Sequence, residues 1–308
     1  MNGIIENVAV IGTGAMGSLF GARLSPHAQV TMLGTWQEHI EAIRREGLVI
    51  ETAQGTERVR LAATSDVDEV PPADLALVLV KSTQTQRAAG QLAAVLRPDG
   101  LALTLQNGLG NLEWLQRAVG VERAVQGVTT QGATLLGPGR VREGGRGVTT
   151  LGWQPHLAHR LEDVADLFDR AGFETRVSAD LNALMWGKLA VNCAINPLTA
   201  LLRIPNGALL DNPDALALAE AAAREAAAVA RAMGIVLPFA DPAARVREVA
   251  RATAANRSSM LQDLVRGAPS EIEAINGAVV REGERLGVPT PVNATLWRLV
   301  RAAEAHSR

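Results

Sequence analysis

The chain has 308 residues, which is enough for two domains that each bury a core. Its 30 basic and 32 acidic side chains give a formal net charge of −2, which argues against nucleic acid or an anionic membrane as the main partner. A single cysteine, Cys193, excludes a disulfide framework within the chain and is interpreted as a small buried hydrophobe rather than a nucleophile. The histidines have no metal-site spacing, and neither a signal peptide nor a long uncharged apolar run is apparent. We therefore expect a cytoplasmic protein with no metal and no membrane span.

A glycine-rich turn stands near the N-terminus. Val8–Ile11 is a short β-branched run that leads directly into Gly12-Thr13-Gly14-Ala15-Met16-Gly17, and the residues after Gly17 predict a helix. A strand, G-x-G-x-x-G and a helix in this order form the dinucleotide fingerprint. Gly12 allows the tight turn, Gly14 allows a pyrophosphate to approach the backbone, and Gly17 allows the helix to pack on the strand. The alternative is a purely structural turn that is rich in glycine.

The second predicted strand, Gln29–Leu33, ends at Gly34-Thr35-Trp36, where a dinucleotide's ribose is normally recognised. An acidic residue at this place favours NAD, whereas a nearby arginine favours the additional phosphate of NADP. The chain has neither, since the nearest acid is Glu38 and the later Arg44 and Arg45 are better interpreted as solvated helix residues. This segment therefore leaves both NADP(H) and NAD(H) open.

Two further strands are predicted to be buried on both faces. Asp74–Val80 and Leu101–Leu105 are nearly continuous apolar runs, and they end at Lys81-Ser82 and at Gln106-Asn107-Gly108. Because ligands of open α/β sheets lie beyond the carboxyl ends of the strands, Lys81 and Asn107 are candidate binding residues. The alternatives are a lysine that reaches into solvent and an asparagine in a simple Asn-Gly turn.

The composition divides the chain into two domains. Short antiparallel strands at Gly127–Thr134 and Gly147–Gly152 are expected to extend the parallel sheet, followed by a helix at Leu157–Ala171 and a last strand at Phe173–Ser178. From residue 179 the sequence is rich in Ala and Arg and predicts helices only. The expected fold is α/β, with an N-terminal Rossmann-type dinucleotide-binding domain (1–178) followed by an all-α C-terminal domain (179–308). Besides a central helix, the second domain is predicted to contain helices from Pro213 to Gly234, from Asp241 to about Gly267, from Ser270 to Gly287, and at Pro291–Ala305.

The central helix, Leu181–Asn196, is almost wholly apolar, but it carries three polar residues at intervals of four: Lys188, Asn192 and Asn196. This spacing places all three on one helix face. A buried ammonium is costly unless it has a function, so the alternative is a helix with a solvated polar seam. Because a residue before proline avoids helical geometry, we expect the helix to end or kink at Asn196, before Pro197.

Three polar residues later in the chain have a structural and a functional interpretation. Glu271 is expected in the first turn of a helix, where a carboxylate is favoured by the helix dipole alone. Asn206 belongs to an Asn-Gly pair that is typical of turns. Ser259 lies in a polar interruption of a helical segment. Alone, none of them identifies a site.

Together these motifs resemble those of the ketopantoate reductase (2-dehydropantoate 2-reductase) family. The resemblance covers nearly the whole chain in order and spacing. The matching segments are Gly12–Gly17, Val80-Lys81, Gln106–Gly108, Gly127–Ala133, Trp186–Ala200, Pro205–Gly207, Ser259–Asp263 and Glu271–Gly277.

The resemblance implies NADPH-dependent reduction of 2-dehydropantoate (ketopantoate) to (R)-pantoate in pantothenate and coenzyme A biosynthesis. It implies that Lys188 donates the proton, with Glu271 as its catalytic neighbour. The implied substrate-binding residues are Asn107, Asn192, Asn196, Asn206 and Ser259. The implied cofactor-binding residues are Gly12, Thr13, Gly14, Ala15, Met16, Gly17, Lys81, Asn107, Ala133 and Glu271. Members of the family often carry an arginine where this chain has Thr35, so NAD(H) stays open beside NADP(H).

Elementary chemistry agrees with the resemblance. Reduction of a 2-oxo acid needs a hydride at the ketone carbon and a proton at its oxygen. Burial lowers the pKa of a lysine and a nearby carboxylate raises it, so Lys188 beside Glu271 is suited to the task.

Two other functions remain open: a reductase of another branched 2-oxo acid, and a catalytically silent NAD(P) sensor. A sensor has no need of a proton donor such as Lys188. The partner expected in either reductase is a small 2-oxo acid. The Ala-rich helices are able to pack within the chain or across an interface, and we slightly favour a homodimer.

Overall fold

The computed structural model describes residues 5–306. The chain forms two compact units. The first runs to Gln106 and resumes from Asn111 to Leu181, whereas the second contains Asn107–Gly110 and continues from Asn182 onward. The domain boundary expected between residues 178 and 179 stays a prediction, and its outer limits at residues 1 and 308 lie outside the described part of the chain.

The first unit combines two β-sheets with helices. Its strands are β1 (Asn7–Ile11), β2 (Gln29–Leu33), β3 (Leu48–Thr52), β4 (Gly55–Val59), β5 (Ala62–Thr64), β6 (Ala73–Val78), β7 (Leu96–Thr104), β8 (Ala124–Thr129), β9 (Ala133–Gly137), β10 (Arg140–Glu143), β11 (Thr149–Gly152) and β12 (Thr175–Ser178). Its helices are α1 (Ala15–Leu24), α2 (Gln37–Glu46), α3 (Thr85–Val95), α4 (Asn111–Val119) and α5 (Ala158–Arg170).

The larger sheet has the strand order β12-β11-β8-β7-β6-β1-β2-β5. The strands from β8 to β5 are all parallel, in the order of a doubly wound nucleotide-binding sheet. At the other edge, β11 is antiparallel to β8 and β12 is parallel to β11. Leu75–Val78 of β6 is wholly buried, as its apolar run predicted. The predicted Rossmann-type architecture is confirmed.

The smaller sheet, with the order β4-β3-β10-β9, was not predicted. The stretch Gly127–Thr134, expected as one strand, instead supplies β8 to one sheet and β9 to the other. The chain turns between them because the Thr129 hydroxyl accepts the Gln131 N–H at 3.2 Å and Gly132 N–H donates to the Gly145 carbonyl at 3.1 Å. These turn contacts interrupt the β-branched run, so it does not form one continuous strand.

All of the regular secondary structure in the described part of the second unit is helical, which confirms the predicted all-α half. Its helices are α6 (Leu181–Leu202), α7 (Pro213–Ala232), α8 (Pro242–Ala252), α9 (Ser259–Val265), α10 (Asn276–Leu286) and α11 (Pro291–His306). Asn212 caps α7 by accepting the Ala215 N–H, as its Asn-Pro start suggested. Among residues 5–306, no helix combines the length and hydropathy that a membrane span needs.

Three expected helix bounds differ from the structure. At Pro197 the helix does not end, because α6 continues to Leu202 with the proline inside it. The helix expected from Asp241 to about Gly267 is divided into α8 and α9, and the Ser258 hydroxyl caps α9 by accepting the Leu261 N–H. The helix expected from Ser270 begins only at Asn276.

Candidate active site

The glycine turn leaves the N-terminus of α1 open. Gly14 is the N-cap residue of α1, and no side chain caps the helix. A Cβ placed on Gly14 would meet no atom within 4 Å, whereas a Cβ on Gly17 would lie 1.8 Å from the Gly12 carbonyl oxygen. Gly12 itself has φ +113° and packs against the backbone of Leu79. Gly12 and Gly17 therefore shape the turn, and Gly14 leaves the space over the helix end open, as a phosphate there would require.

The other residues of the turn connect it to β2. Thr13 is buried, and its side chain packs against the backbone of Gly34, the residue that follows β2. Ala15 and Met16 are half-buried, and Thr35 is exposed. The structure thus places Thr35 immediately after the residue that contacts the glycine turn. The turn and its helix fit the pyrophosphate of a dinucleotide.

Lys81 lies close in sequence to the strand end that contacts the turn. Leu79 N–H donates to the Ile11 carbonyl at 2.8 Å, and the half-buried Lys81 follows two residues later. Ala133 is the first residue of β9, a strand that packs against α1. Both residues therefore belong to elements that surround the glycine turn or its helix.

Sequence reasoning missed a buried histidine beside the same turn. His39 of α2 accepts the Gly139 N–H on Nδ1 at 2.9 Å, and its Nε2 lies 3.1 Å from the hydroxyl of Ser18, the residue after Gly17. With Nδ1 as acceptor, Nε2 carries the proton and donates to Ser18. The ring stacks on Trp36 with centroids 4.9 Å apart. Burial lowers the pKa of His39 to about 4, so the ring is neutral near pH 7.

In the helical unit, α6 presents Lys188, Asn192 and Asn196 at four-residue intervals on one face. Lys188 and Asn192 are half-buried and Asn196 is buried. Burial lowers the pKa of Lys188, the Glu271 carboxylate raises it, and together they place it at about 8. Lys188 is therefore protonated at pH 7, but it can release its proton at little cost.

Glu271 is held by the loop Asn107–Gly110. The Asn107 Nδ2 donates to the Glu271 carboxylate at 3.3 Å, and Leu109 N–H donates to the Ala274 carbonyl at 3.0 Å. Gly108 has φ +80°, and a Cβ there would lie 2.4 Å from the Ala274 carbonyl oxygen, so no other residue fits. Glu271 lies in the turn that precedes α10 and not in its first helical turn. The helix dipole therefore does not account for this buried carboxylate.

Asn206 is buried beside the turn between α8 and α9. Its Nδ2 donates to the Thr253 hydroxyl at 2.9 Å, and its Oδ1 is buried with no hydrogen-bond partner among the described residues. A buried acceptor without a donor is costly, so this atom marks Asn206 as a candidate for a function beyond the turn. Ser259 is exposed at the start of α9, next to Ser258, whose hydroxyl lies 2.8 Å from that of Thr199 on α6.

The count of lysines singles out two of these residues. Only Lys81 and Lys188 are lysines among the 30 basic residues of the sequence, and all the others are arginines. Arginine stays charged in proteins, whereas lysine changes its pKa readily when it is buried. This composition is a signal of function that motif reading overlooked.

Cys193, by contrast, is fully buried, and burial raises the pKa of its thiol, so it does not serve as a nucleophile.

Two family models match the sequence. The model described as Ketopantoate reductase PanE/ApbA matches residues 8–155. The model described as Ketopantoate reductase PanE/ApbA C terminal matches residues 180–304. A protein of Halobacterium salinarum named 2-dehydropantoate 2-reductase is 40% identical over 301 residues, which are 96% of this chain and 98% of that protein.

Two solved structures have the same fold. A crystal structure of a PanE/ApbA family ketopantoate reductase from Ralstonia eutropha JMP134 is 36% identical, with a TM-score of 0.90 over 98% of this chain and 99% of that one. A ternary structure of D-mandelate dehydrogenase with NADH and anilino(oxo)acetate is 27% identical, with a TM-score of 0.92 over 98% and 99% of the two chains. The chain is therefore an NAD(P)H-dependent oxidoreductase that belongs to the ketopantoate reductase family, as its motifs indicated.

Proposed function

We propose that this enzyme reduces 2-dehydropantoate to (R)-pantoate with NADPH, a step of pantothenate and coenzyme A biosynthesis. The observation that carries the proposal is the Lys188–Glu271 pair, because it provides a protonated amine with a pKa of about 8 on a helix face lined by carboxamides. The name of the Halobacterium salinarum relative supports the same substrate.

The residues divide the chemistry as follows. A bound reduced nicotinamide supplies the hydride for the ketone carbon. The Lys188 ammonium polarises the keto oxygen and transfers a proton to it, which completes the hydroxyl group of the product. Lys188 is left as the neutral amine and regains a proton from solvent. The Glu271 carboxylate stabilises the charged form of Lys188 and so favours its protonation by solvent before the next turnover.

The remaining polar residues bind and orient the substrate. We assign its carboxylate and hydroxyl groups to Asn107, Asn192, Asn196, Asn206 and Ser259. The unpartnered Oδ1 of Asn206 is suited to accept a hydrogen bond from the substrate hydroxyl. We assign the phosphates of the dinucleotide to the turn Gly12–Gly17 and the N-terminus of α1, with Lys81 and Ala133 as further contacts on the cofactor.

A second candidate is a reductase that uses NADH on another 2-oxo acid. Thr35 supports it, because the chain lacks the arginine with which many family members hold the 2′-phosphate of NADPH. The likeness to a D-mandelate dehydrogenase in complex with NADH also supports it.

The two functions are separated by initial rates with three substrates, ketopantoate, ketoisovalerate and oxaloacetate, each with NADPH and with NADH. We expect the highest kcat/KM for ketopantoate with NADPH. A higher kcat/KM for another 2-oxo acid with NADH assigns the second function, whereas a higher kcat/KM for ketopantoate with NADH changes only the cofactor of the first. Cofactor binding without oxidation of either cofactor by any of the three substrates identifies a sensor and rejects both proposals.

A further inference from the structure

Pro197 creates a gap in the hydrogen bonds of α6. In an α-helix the carbonyl of residue i accepts the N–H of residue i+4, so the Cys193 carbonyl requires the N–H of residue 197. Proline has no N–H, and its ring also crowds the carbonyl four residues earlier. The Cys193 carbonyl is part of a fully buried residue, so water does not replace the missing donor.

The side chain of Asn276 fills this gap. Its Nδ2 donates to the Cys193 carbonyl at 2.9 Å and to the Asn293 Oδ1 at 3.0 Å. Asn276 and Asn293 have no exposed surface. Both neighbours are acceptors, because Asn293 uses its own Nδ2 to donate to the Ala222 carbonyl and to Glu225. The Asn276 amide is therefore held in the orientation that donates.

The hydrogen bond from Asn276 to the Cys193 carbonyl joins α6, which carries Lys188, to the segment that carries Glu271. Cys193 follows Asn192 on the helix that carries Lys188, and Asn276 is the first residue of α10, five positions after Glu271. The intervening turn is short and internally bonded, since Ile275 N–H donates to the Glu271 carbonyl at 3.0 Å. A shift of Asn276 relative to α6 is therefore transmitted to Glu271.

We propose that Asn276 is a positioning residue whose carboxamide replaces the backbone N–H removed by Pro197 and so holds Glu271 at its distance from Lys188. The effect on catalysis rests on the proposed function, whereas the link between Asn276 and Pro197 does not.

A double-mutant cycle tests the link without any substrate. Asn276→Ala removes the donor, and Pro197→Ala gives α6 an N–H of its own, so the Cys193 carbonyl no longer needs Asn276 and only the bond to Asn293 still does. We expect Asn276→Ala to lower Tm by roughly 5 °C in the wild-type chain and by a smaller amount in the Pro197→Ala chain, where only the bond to Asn293 is lost. Val279→Ala is the matched control, because Val279 is an equally buried residue of α10 whose side chain donates no hydrogen bond to a carbonyl. Its Tm loss should be the same in both backgrounds.

The positioning role is tested by titrating Lys188. In protein labelled with [ε-¹³C]lysine, only Lys81 and Lys188 give signals, and Lys81→Arg assigns them. We expect Asn276→Ala to move the Lys188 midpoint to lower pH by roughly half a unit, as Glu271 loses its position, and to lower kcat with ketopantoate by roughly tenfold. Pro197→Ala should restore neither value in the double variant, because the Asn276 side chain that joins α6 to the Glu271 segment is still absent, and Val279→Ala should leave the midpoint unchanged.

Each outcome decides one part. Equal Tm losses in the two backgrounds overturn the link between Asn276 and Pro197. Coupled Tm losses with an unmoved Lys188 midpoint overturn the positioning role and leave a purely structural bond. If wild type does not turn over ketopantoate, the proposed function fails, but the Tm cycle and the NMR titration still decide this inference.

Discussion

Asn107 and Glu271 lie 164 positions apart in the sequence, yet the carboxamide of one donates a 3.3 Å hydrogen bond to the carboxylate of the other. Asn107 uses a donor, so the bond holds the Glu271 carboxylate in place. An ionised Glu271 in turn favours the charged form of Lys188. The loop that carries Asn107 and the turn that carries Glu271 therefore both influence the proton of Lys188 on α6.

Removal of the Glu271 charge should make Lys188 a stronger acid. Lys188 has a pKa of about 8 because burial lowers it and Glu271 raises it. In Glu271→Gln only the lowering effect remains, so the pKa should fall further and kcat should decline from a lower pH than in wild type. The ¹³C titration of Lys188 and the pH profile of kcat measure this. A Lys188 midpoint equal to that of wild type would show that Glu271 has no electrostatic role.

Replacement of Lys188 should abolish most of the turnover and leave the fold intact. General acid catalysis contributes roughly 10²- to 10⁴-fold, so Lys188→Ala should lower kcat by at least about that factor. Lys188→Arg retains the positive charge but does not release a proton at accessible pH, so most of the loss should persist in it. Single-turnover rates and Tm are the measurements. Unchanged turnover in Lys188→Ala would remove this residue from the mechanism.

Two glycines of the N-terminal turn should respond differently to alanine. Gly14→Ala adds a methyl group in open space, so Tm should stay close to wild type while the affinity for NADPH falls by roughly tenfold or more. Gly17→Ala places its Cβ 1.8 Å from the Gly12 carbonyl oxygen, so this variant should lose Tm or fail to fold. Thermal melts and fluorescence titrations with NADPH distinguish the two. Undiminished NADPH affinity in Gly14→Ala would contradict the placement of the phosphates.

An arginine at residue 35 should improve binding of NADPH alone. Thr35 is exposed directly after Gly34, which contacts the glycine turn. A charged hydrogen bond to the 2′-phosphate should strengthen NADPH binding by roughly tenfold in Thr35→Arg, and NADH has no phosphate to benefit. Thr35→Gln is the uncharged control. An equal gain for both cofactors would show that residue 35 does not face the 2′-phosphate.

His39 should make the protein less stable in mild acid. Its pKa is about 4 in the folded chain against an ordinary value of 6.5, so the unfolded chain binds the proton more readily. The stability contributed by neutral His39 is therefore complete above about pH 6.5 and is lost as the pH falls towards 4. The loss amounts to at most roughly 3 kcal/mol. Urea unfolding of wild type and His39→Asn across this range tests it, since the variant should lack this part of the pH dependence.

Local sequence patterns predicted those features that depend on near neighbours. The strand β2 has the predicted bounds, and the four-residue spacing did place Lys188, Asn192 and Asn196 on one helix face. The local patterns failed where the structure depends on residues that are distant in the sequence. Pro197 does not end α6, because the helix continues beyond it and Asn276 on another helix satisfies the carbonyl that proline leaves open.

The position of Glu271 shows the same limit. Its sequence is compatible with a first helical turn, but backbone contacts with the loop Asn107–Gly110 keep residues 271–275 in a tight turn. The smaller sheet was missed for a similar reason, because β3 and β10 are neighbours only in space. Periodicity within one segment carries no information about such pairs.

The loop Asn107–Gly110 also limits how the gene for this protein is able to recombine with the gene of a relative. These four residues are encoded in the middle of the nucleotide-binding half but form part of the helical unit. A crossover near residue 181 would join the helices to a foreign loop, and any side chain at residue 108 would collide with the Ala274 carbonyl. The two halves are therefore expected to have been inherited together, since the helical half depends on four residues that it does not encode.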